Sequence, residues 1–173
     1  MRVMSNGSGP HPLVEQLRFA RYEFRRGLRA LPPELAVVRV GRMNSISWNV
    51  GHLAWQEQRY FVTVAQDETP HPELVARFAY GAPAETPPLD EVLVAWRDIT
   101  TAADPWLDTL TSELLTAPVP ARPSRTFGNL LQRTIYHYWF HNGENQGIRQ
   151  QLETVRLQDF VGDIDGRAPY RPS

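Results

Sequence analysis

Cysteine is absent from this 173-residue chain. Disulfides, thiolate metal sites, iron–sulfur ligation and cysteine nucleophiles are therefore excluded together. Any transition-metal site has to be built from histidine nitrogen and carboxylate or amide oxygen. Lysine is absent as well, so all 18 basic residues are arginine. Schiff-base chemistry and a lysine-bearing phosphate loop fall away with it, and a GC-rich coding sequence accounts for the bias. Charge of one sign is not in excess: 18 basic against 19 acidic residues leave a formal −1. Nothing in that balance draws the chain to nucleic acid or an anionic membrane. No apolar run approaches the length of a bilayer span, and residues 1–13 lack the apolar stretch of a signal peptide. These absences lead to the expectation of a soluble, cytoplasmic protein with no nucleic-acid or membrane partner.

What is present is ordinary globular material, 42% hydrophobic and 21% charged. A chain of this length buries roughly 70% of its extended surface, enough for one domain. Residues 1–12 are small, polar and Pro/Gly-rich and read as a flexible leader. Apolar positions at helical spacing from Leu13 to Leu31 predict a first helix, stopped by Pro32 and Pro33. Residues 34–42 read as a connection. A second helix is expected from Asn44 or Ser45 to about Gln66, apolar on two sides and hence buried on two sides. A long Pro-rich loop over 67–88, with one helical turn at 73–78, leads to a third helix over 89–115. Its stripe includes Leu110 and Leu114, and Asp104-Pro105 interrupts it, as either a kink or an N-cap with proline at N1 restarting a new helix. Residues 117–124 read as an extended linker, and a fourth helix runs from Thr126 to about Arg156. The expected architecture is all-α: a four-helix bundle over 13–156 and an extended tail over 157–173.

The fourth helix carries the chemical signal. At 100° per residue, one face holds Phe127, Leu130, Thr134, His137, His141, Glu144, Asn145, Ile148 and Leu152. Its ends are apolar and its middle is polar. Unsatisfied buried polar groups cost about 1–3 kcal/mol each, so such a cluster needs a partner. Histidines at i and i+4 can aim two imidazoles at one ion. With five histidines, such a pair arises by chance in roughly one chain in seven, and a core histidine is more often merely hydrogen-bonded. The mid-helix, core-facing position carries the weight. His11 and His71 sit beside prolines and read as surface residues, which leaves His52, between Trp48 and Trp55, as the candidate third ligand. Three imidazoles with open positions suit Zn²⁺, Ni²⁺ or Fe²⁺.

Residues 45–57 (SISWNVGHLAWQE) and 137–149 (HYWFHNGENQGIR) resemble two signatures of the DinB-like superfamily. The first is especially similar to the DinB-type domain of ergothioneine-biosynthesis sulfoxide synthases. The resemblance covers about residues 13–152 and implies a four-helix bundle with one divalent metal on His52, His137 and His141. It also implies a metal-dependent enzyme acting on a small molecule, with transfer of a mycothiol- or bacillithiol-type low-molecular-weight thiol as one activity. A metal-dependent hydrolase and a non-catalytic metal- or ligand-binding protein stand as alternatives. Sulfoxide synthesis is not expected, since the chain ends at Ser173 without the second domain that those enzymes carry.

Other residues have two readings each. Glu144 is a candidate fourth ligand, general base or orienter of an imidazole, or else pairs with Arg149 or another arginine. Glu57 falls on an apolar face and is expected to pair with an arginine of the first helix. Tyr136, Trp139 and Phe140 point away from the histidines and suit either a homodimer surface or the chain's own tail. Gly143 and Gly147 would let another helix approach there. In the tail, Phe160, Val161, Ile164 and Tyr170 read as apolar hooks.

Overall fold

A computed structural model of the chain describes residues 9–120, 122–152, 158–159 and 161–171. Residues 1–8 of the expected leader lie outside them. His11 is not simply part of a leader: its Nδ1 accepts from the Leu13 amide at 3.1 Å and caps α1, Pro12–Gly27. Val14, Leu17, Ala20 and Phe24 form the buried stripe of α1. The helix ends at Gly27, four residues before Leu31, and Ala30 takes a left-handed conformation (φ 54°) ahead of the proline pair. A Cβ on Gly27 would meet the Asn142 and Gln146 side chains at 2.7 Å, so glycine here leaves room for side chains of the fourth long helix.

After the short α2, Pro33–Ala36, comes α3, Ile46–Glu57. Ser45 Oγ accepts from the Trp48 amide and starts it. Every residue of α3 is buried, as expected for a helix apolar on two sides. It continues through a π-helical turn, Gln58–Thr63, into α4, Val64–Gln66. The following loop contains α5, Leu74–Phe78.

Helix α6 spans Leu89–Leu107 and runs through Asp104-Pro105. A new helix restarting at that dipeptide is corrected: Pro105 sits in the last turn of α6, and Thr101, whose carbonyl loses a donor, is exposed. The break falls at 108–111, before α7, Ser112–Thr116, which Thr111 caps. Leu110 stays buried but Leu114 is exposed, because the stripe ends with α6. The expected linker is instead a hairpin of two short antiparallel strands, β1 (Pro118–Val119) and β2 (Arg122–Thr126). Helix α8, Phe127–Leu152, completes the set.

The fold is all-α apart from that hairpin. Helices α1, α3, α6 and α8 form the bundle, with α8 lying against both α1 and α3, and α6 against α3. Among the described residues no helix is long and apolar enough to cross a membrane. Inside the bundle lies a buried polar network. Arg21 donates to both oxygens of Glu57 and, through Nη1, to Asp104 at 2.7 Å. Tyr138 donates to Glu57 Oε1 at 2.6 Å and accepts from Trp96 Nε1 at 2.6 Å. Burial first, and then the Glu57 charge, push the Tyr138 phenol well above its ordinary pKa, so it stays a donor.

The outer face of α8 differs from expectation. Among the described residues nothing lies within 4 Å of a Cβ placed on Gly143 or Gly147. Tyr136 and Phe140 are exposed, while Trp139 packs on Phe19 of α1 with ring centroids 6.0 Å apart. The tail holds to α1 through polar contacts. Gln16 donates to the Ala168 carbonyl at 2.9 Å, Arg26 to the Asp159 carbonyl at 2.7 Å, and Arg167 in α9 (Ile164–Arg167) covers the Tyr22 ring. Val161 and Ile164 are half-buried, but Tyr170 is 92% exposed and is no hook. Phe160 lies outside the described residues.

Candidate metal centre

The site forms where α3 and α8 face each other at mid-height. Position 52 of α3 lies one turn from both Trp48 and Trp55, so the His52 ring is held between the two indoles. The planes are tilted by 16° and 25°, with centroids 4.8 and 5.3 Å away. His137 and His141 stand one above the other on α8, as the i, i+4 relation requires. Their ring centroids are 4.5 Å apart, and each lies about 5 Å from His52 (4.9 and 5.3 Å). One nitrogen from each of the three falls within 4.8 Å of the other two. The structure thus brings together the three histidines singled out from the sequence.

Each imidazole is oriented from behind. His52 Nδ1 donates to the Phe78 carbonyl at 2.6 Å, His137 Nδ1 to Gln56 Oε1 at 2.8 Å, and His141 Nδ1 to Glu144 Oε2 at 2.7 Å. A carbonyl, an amide oxygen and a carboxylate are all acceptors, so each ring carries its proton on Nδ1. The three Nε2 atoms then face the shared space. Two of them, on His137 and His141, are only 3.0 Å apart. Two facing lone pairs at that distance repel unless a cation or proton lies nearby. Burial, followed by the charge of neighbouring histidine, holds His137 down to about 3. Burial likewise lowers His52 to about 4, against the pull of its bond to the Phe78 carbonyl. Both are therefore neutral at pH 7, which is the form that ligates a metal. The donor set, its tautomers and its convergence fit a divalent transition ion.

Glu144 also accepts from Asn49 Nδ2 at 3.0 Å. Of its several sequence readings, the structure gives it the orienting contact to His141. Asn49, Gln56 and the Phe78 carbonyl are functional partners that sequence reasoning did not assign. Asn49 and Gln56 share the His52 stripe of α3, which was the available signal, whereas a backbone carbonyl leaves none. Gly51 belongs to the same arrangement: a Cβ there would meet the Phe78 ring at 2.7 Å and displace the carbonyl that holds His52.

His52 and His137 form part of the floor of an open cleft of about 910 Å³. Trp55, Tyr80, Tyr136 and Phe140 supply aromatic wall. His71 lies elsewhere, its ring between Glu73 (3.2 Å) and Asp98 (3.3 Å), and His11 caps α1. The family model of the DinB superfamily matches residues 16–144, a span that contains all three clustered histidines. No curated protein matches the chain.

Proposed function

Since the chain belongs to the DinB superfamily, we propose that His52, His137 and His141 hold one divalent transition metal, Zn²⁺, Ni²⁺ or Fe²⁺, for chemistry on a small molecule in the adjoining cleft. The observation that carries this reading is the convergence of three Nε2 atoms with every Nδ1 already engaged. Three protein ligands leave coordination positions open, the pattern of a working rather than a purely structural site. A bound divalent ion lowers the pKa of a thiol or water and so supplies a nucleophile at neutral pH.

The chain's own residues prepare the site. Phe78, Gln56 and Glu144 fix the three ring orientations, and the Glu144 carboxylate makes His141 the most electron-rich of the three. Trp48 and Trp55 shield the faces of His52 from water. Within this reading, transfer of a low-molecular-weight thiol of the mycothiol or bacillithiol kind is favoured over hydrolysis. Glu144, the carboxylate that contacts the triad, is committed to His141 and Asn49 and is poorly placed to act as a general base on water. A thiol needs only to lose its proton. The likeness of residues 45–57 to the ergothioneine-synthase domain supports a thiol-handling role in the same sense.

Metal analysis of protein purified without an affinity tag tests the proposal. Stoichiometric metal in the wild type and its loss in His52→Ala and His141→Ala are expected. A wild type that takes up neither Zn²⁺, Ni²⁺ nor Fe²⁺, or a His141→Ala variant with full metal, overturns it. Chelator-sensitive formation of a thioether from a supplied thiol and a supplied α,β-unsaturated carbonyl, whose β-carbon takes the sulfur and whose α-carbon takes the thiol's proton with no leaving group, separates transfer from hydrolysis and from simple binding.

A further inference from the structure

Four arginines surround the cleft above the histidines: Arg59 from the π-helical turn, Arg122 and Arg125 from β2, and Arg133 from α8. No aspartate or glutamate is among the cleft's described lining residues. Among the described residues none of the four arginines has an ion-pair partner. On the opposite side Arg25, Arg29 and Arg97 also lack an ion pair among the described residues, but there Asp104 and Glu23 compensate their neighbours. Arg18 pairs with Asp104 and Asp108, Arg21 with Glu57 and Asp104, and Arg26 with Glu23. Arg77, in α5, is shared between Glu85 and Glu91.

Uncompensated like charges in one concavity repel one another and focus a positive potential on the space between them. Arg122 and Arg133 are exposed and Arg125 is half-buried, so none of these three is packed into the core. Arg59 is already set in place, its guanidinium 5.4 Å from the Trp55 ring centre and 5.7 Å from that of Tyr60. Arg133 lies one turn before His137 on the same face of α8, so a group bound by it sits beside the triad. Guanidinium forks match carboxylate and phosphate geometry. Tyr136 and Phe140, 69% and 67% exposed, offer flat apolar surface to the rest of a ligand. The cleft volume is that of a small-molecule site.

We propose that this cleft receives a small organic anion bearing at least two acidic groups, carboxylate or phosphate, which the four arginines hold while its body lies on Tyr136 and Phe140. This names the substrate class for the metal-dependent reading and rests on that reading for the reaction, though the anion binding is measurable without it. The fold supplies the selectivity: a neutral molecule of the same shape finds the same rings but leaves the arginines uncompensated.

Calorimetric titration of the full chain, both metal-loaded and chelator-treated, with isophthalate, its neutral diamide and inorganic phosphate tests this. Isophthalate should bind at least about tenfold more tightly than the diamide and weaken as salt rises. Arg125→Gln and Arg133→Gln should each weaken it about tenfold, and Arg97→Gln on α6, outside the cleft, should leave it unchanged. Tighter binding of phosphate with the same arginine dependence supports the proposal and identifies the acidic group as phosphate. Equal affinity for isophthalate and the diamide, no binding of either anion, or indifference to both cleft substitutions in folded protein overturns it. Arginine-dependent binding in a protein that takes up no metal would sink the metal reading alone. Metal uptake without anion preference would sink this one alone.

Discussion

Two polar clusters bridge α3 and α8 inside one bundle, and they are completed in opposite ways. In the first, Glu57 of α3 and Tyr138 of α8 are closed off by a cation the chain itself provides, Arg21 of α1. Glu57 is fully buried, its two oxygens are both bonded, and Trp96 seals the far side of the phenol. In the second, His52 of α3 and His137 and His141 of α8 are oriented from outside by three acceptors, yet their inner nitrogens face only one another. Both clusters are arrays of electron-rich atoms that call for a positive charge. The fold places a guanidinium in one and leaves the other opening onto a cleft. A polar cluster with its own counterion holds helices together, and a cluster without one is arranged to accept a cation from solution.

The largest effect should come from breaking the closed cluster. Glu57→Gln keeps the shape but removes the charge that balances buried Arg21, leaving only half-exposed Asp104 to do so. Stranding one partner of a buried pair costs about 3–5 kcal/mol, which urea unfolding would register directly. Replacing Arg21 and Glu57 together with apolar residues should recover much of that loss. A Glu57→Gln variant as stable as wild type would mean that the two clusters do not divide structure from function as described.

The closed cluster was half legible in the sequence. A carboxylate on the apolar face of the second helix signalled an arginine partner, and Arg21 is that partner. Tyr138 lies four residues after Thr134 on the arc that carries the histidines, but its hydroxyl on a buried face was passed over. The open cluster was more legible, because i, i+4 spacing on a core face is a property of local sequence alone. Its supports were less so: the Phe78 carbonyl comes from a loop helix whose approach depends on Gly51, a tertiary fact. The four long helices followed from periodicity. Their ends did not, since α1 stops at Gly27, four residues short of its last apolar position, and Pro105 is absorbed into a last turn. The hairpin was missed because its proline-rich, two-residue first strand has no strand pattern to read.

In the open cluster, the next largest effect should follow from Glu144→Gln. The carboxylate that holds His141 Nδ1 becomes an amide, so the ring loses basicity and a charge-assisted bond. Metal affinity should fall about 10- to 100-fold while the protein stays folded. Competition with a fluorescent chelator measures it. Complete loss of binding would promote Glu144 from orienter to ligand, and no change would mean that His141 is held well enough by packing.

Acid should act on the open cluster. In metal-free protein, His52 and His137 lie near 4 and 3, below the ordinary 6.5. The unfolded chain therefore takes up protons near pH 6.5 that the folded chain refuses. The stability these residues contribute is full above about pH 6.5 and is lost as the pH falls from there towards the folded values. Each contributes a slope of up to about 1.4 kcal/mol per pH unit. Urea midpoints at pH 7, 6 and 5 in the presence of chelator should show the decline, and His137→Gln should make it shallower. Bound metal, by holding both rings deprotonated, should move the decline to lower pH. A stability that is flat from pH 7 to 5 without metal would contradict the burial of these two rings.

The smallest effect belongs to a histidine outside both clusters. His71 sits in a loop after a proline, its ring between Glu73 and Asp98, both more than half exposed. Such contacts are weak in water, since solvent screens the charges and the carboxylates keep their own hydration. The loop is fixed instead through the His71 backbone: its amide donates to Gln58 Oε1 at 2.8 Å, and its carbonyl accepts from Gln58 Nε2 at 2.8 Å. His71→Ala keeps both of those bonds. Its stability should therefore stay within about 0.5 kcal/mol of wild type, and its metal content should be unchanged, in contrast to His141→Ala. A loss of metal in His71→Ala matching that in His141→Ala would show that histidine content rather than the geometry at α3 and α8 governs uptake. The distinction between the cluster that accepts a cation and the rest of the surface would then fail.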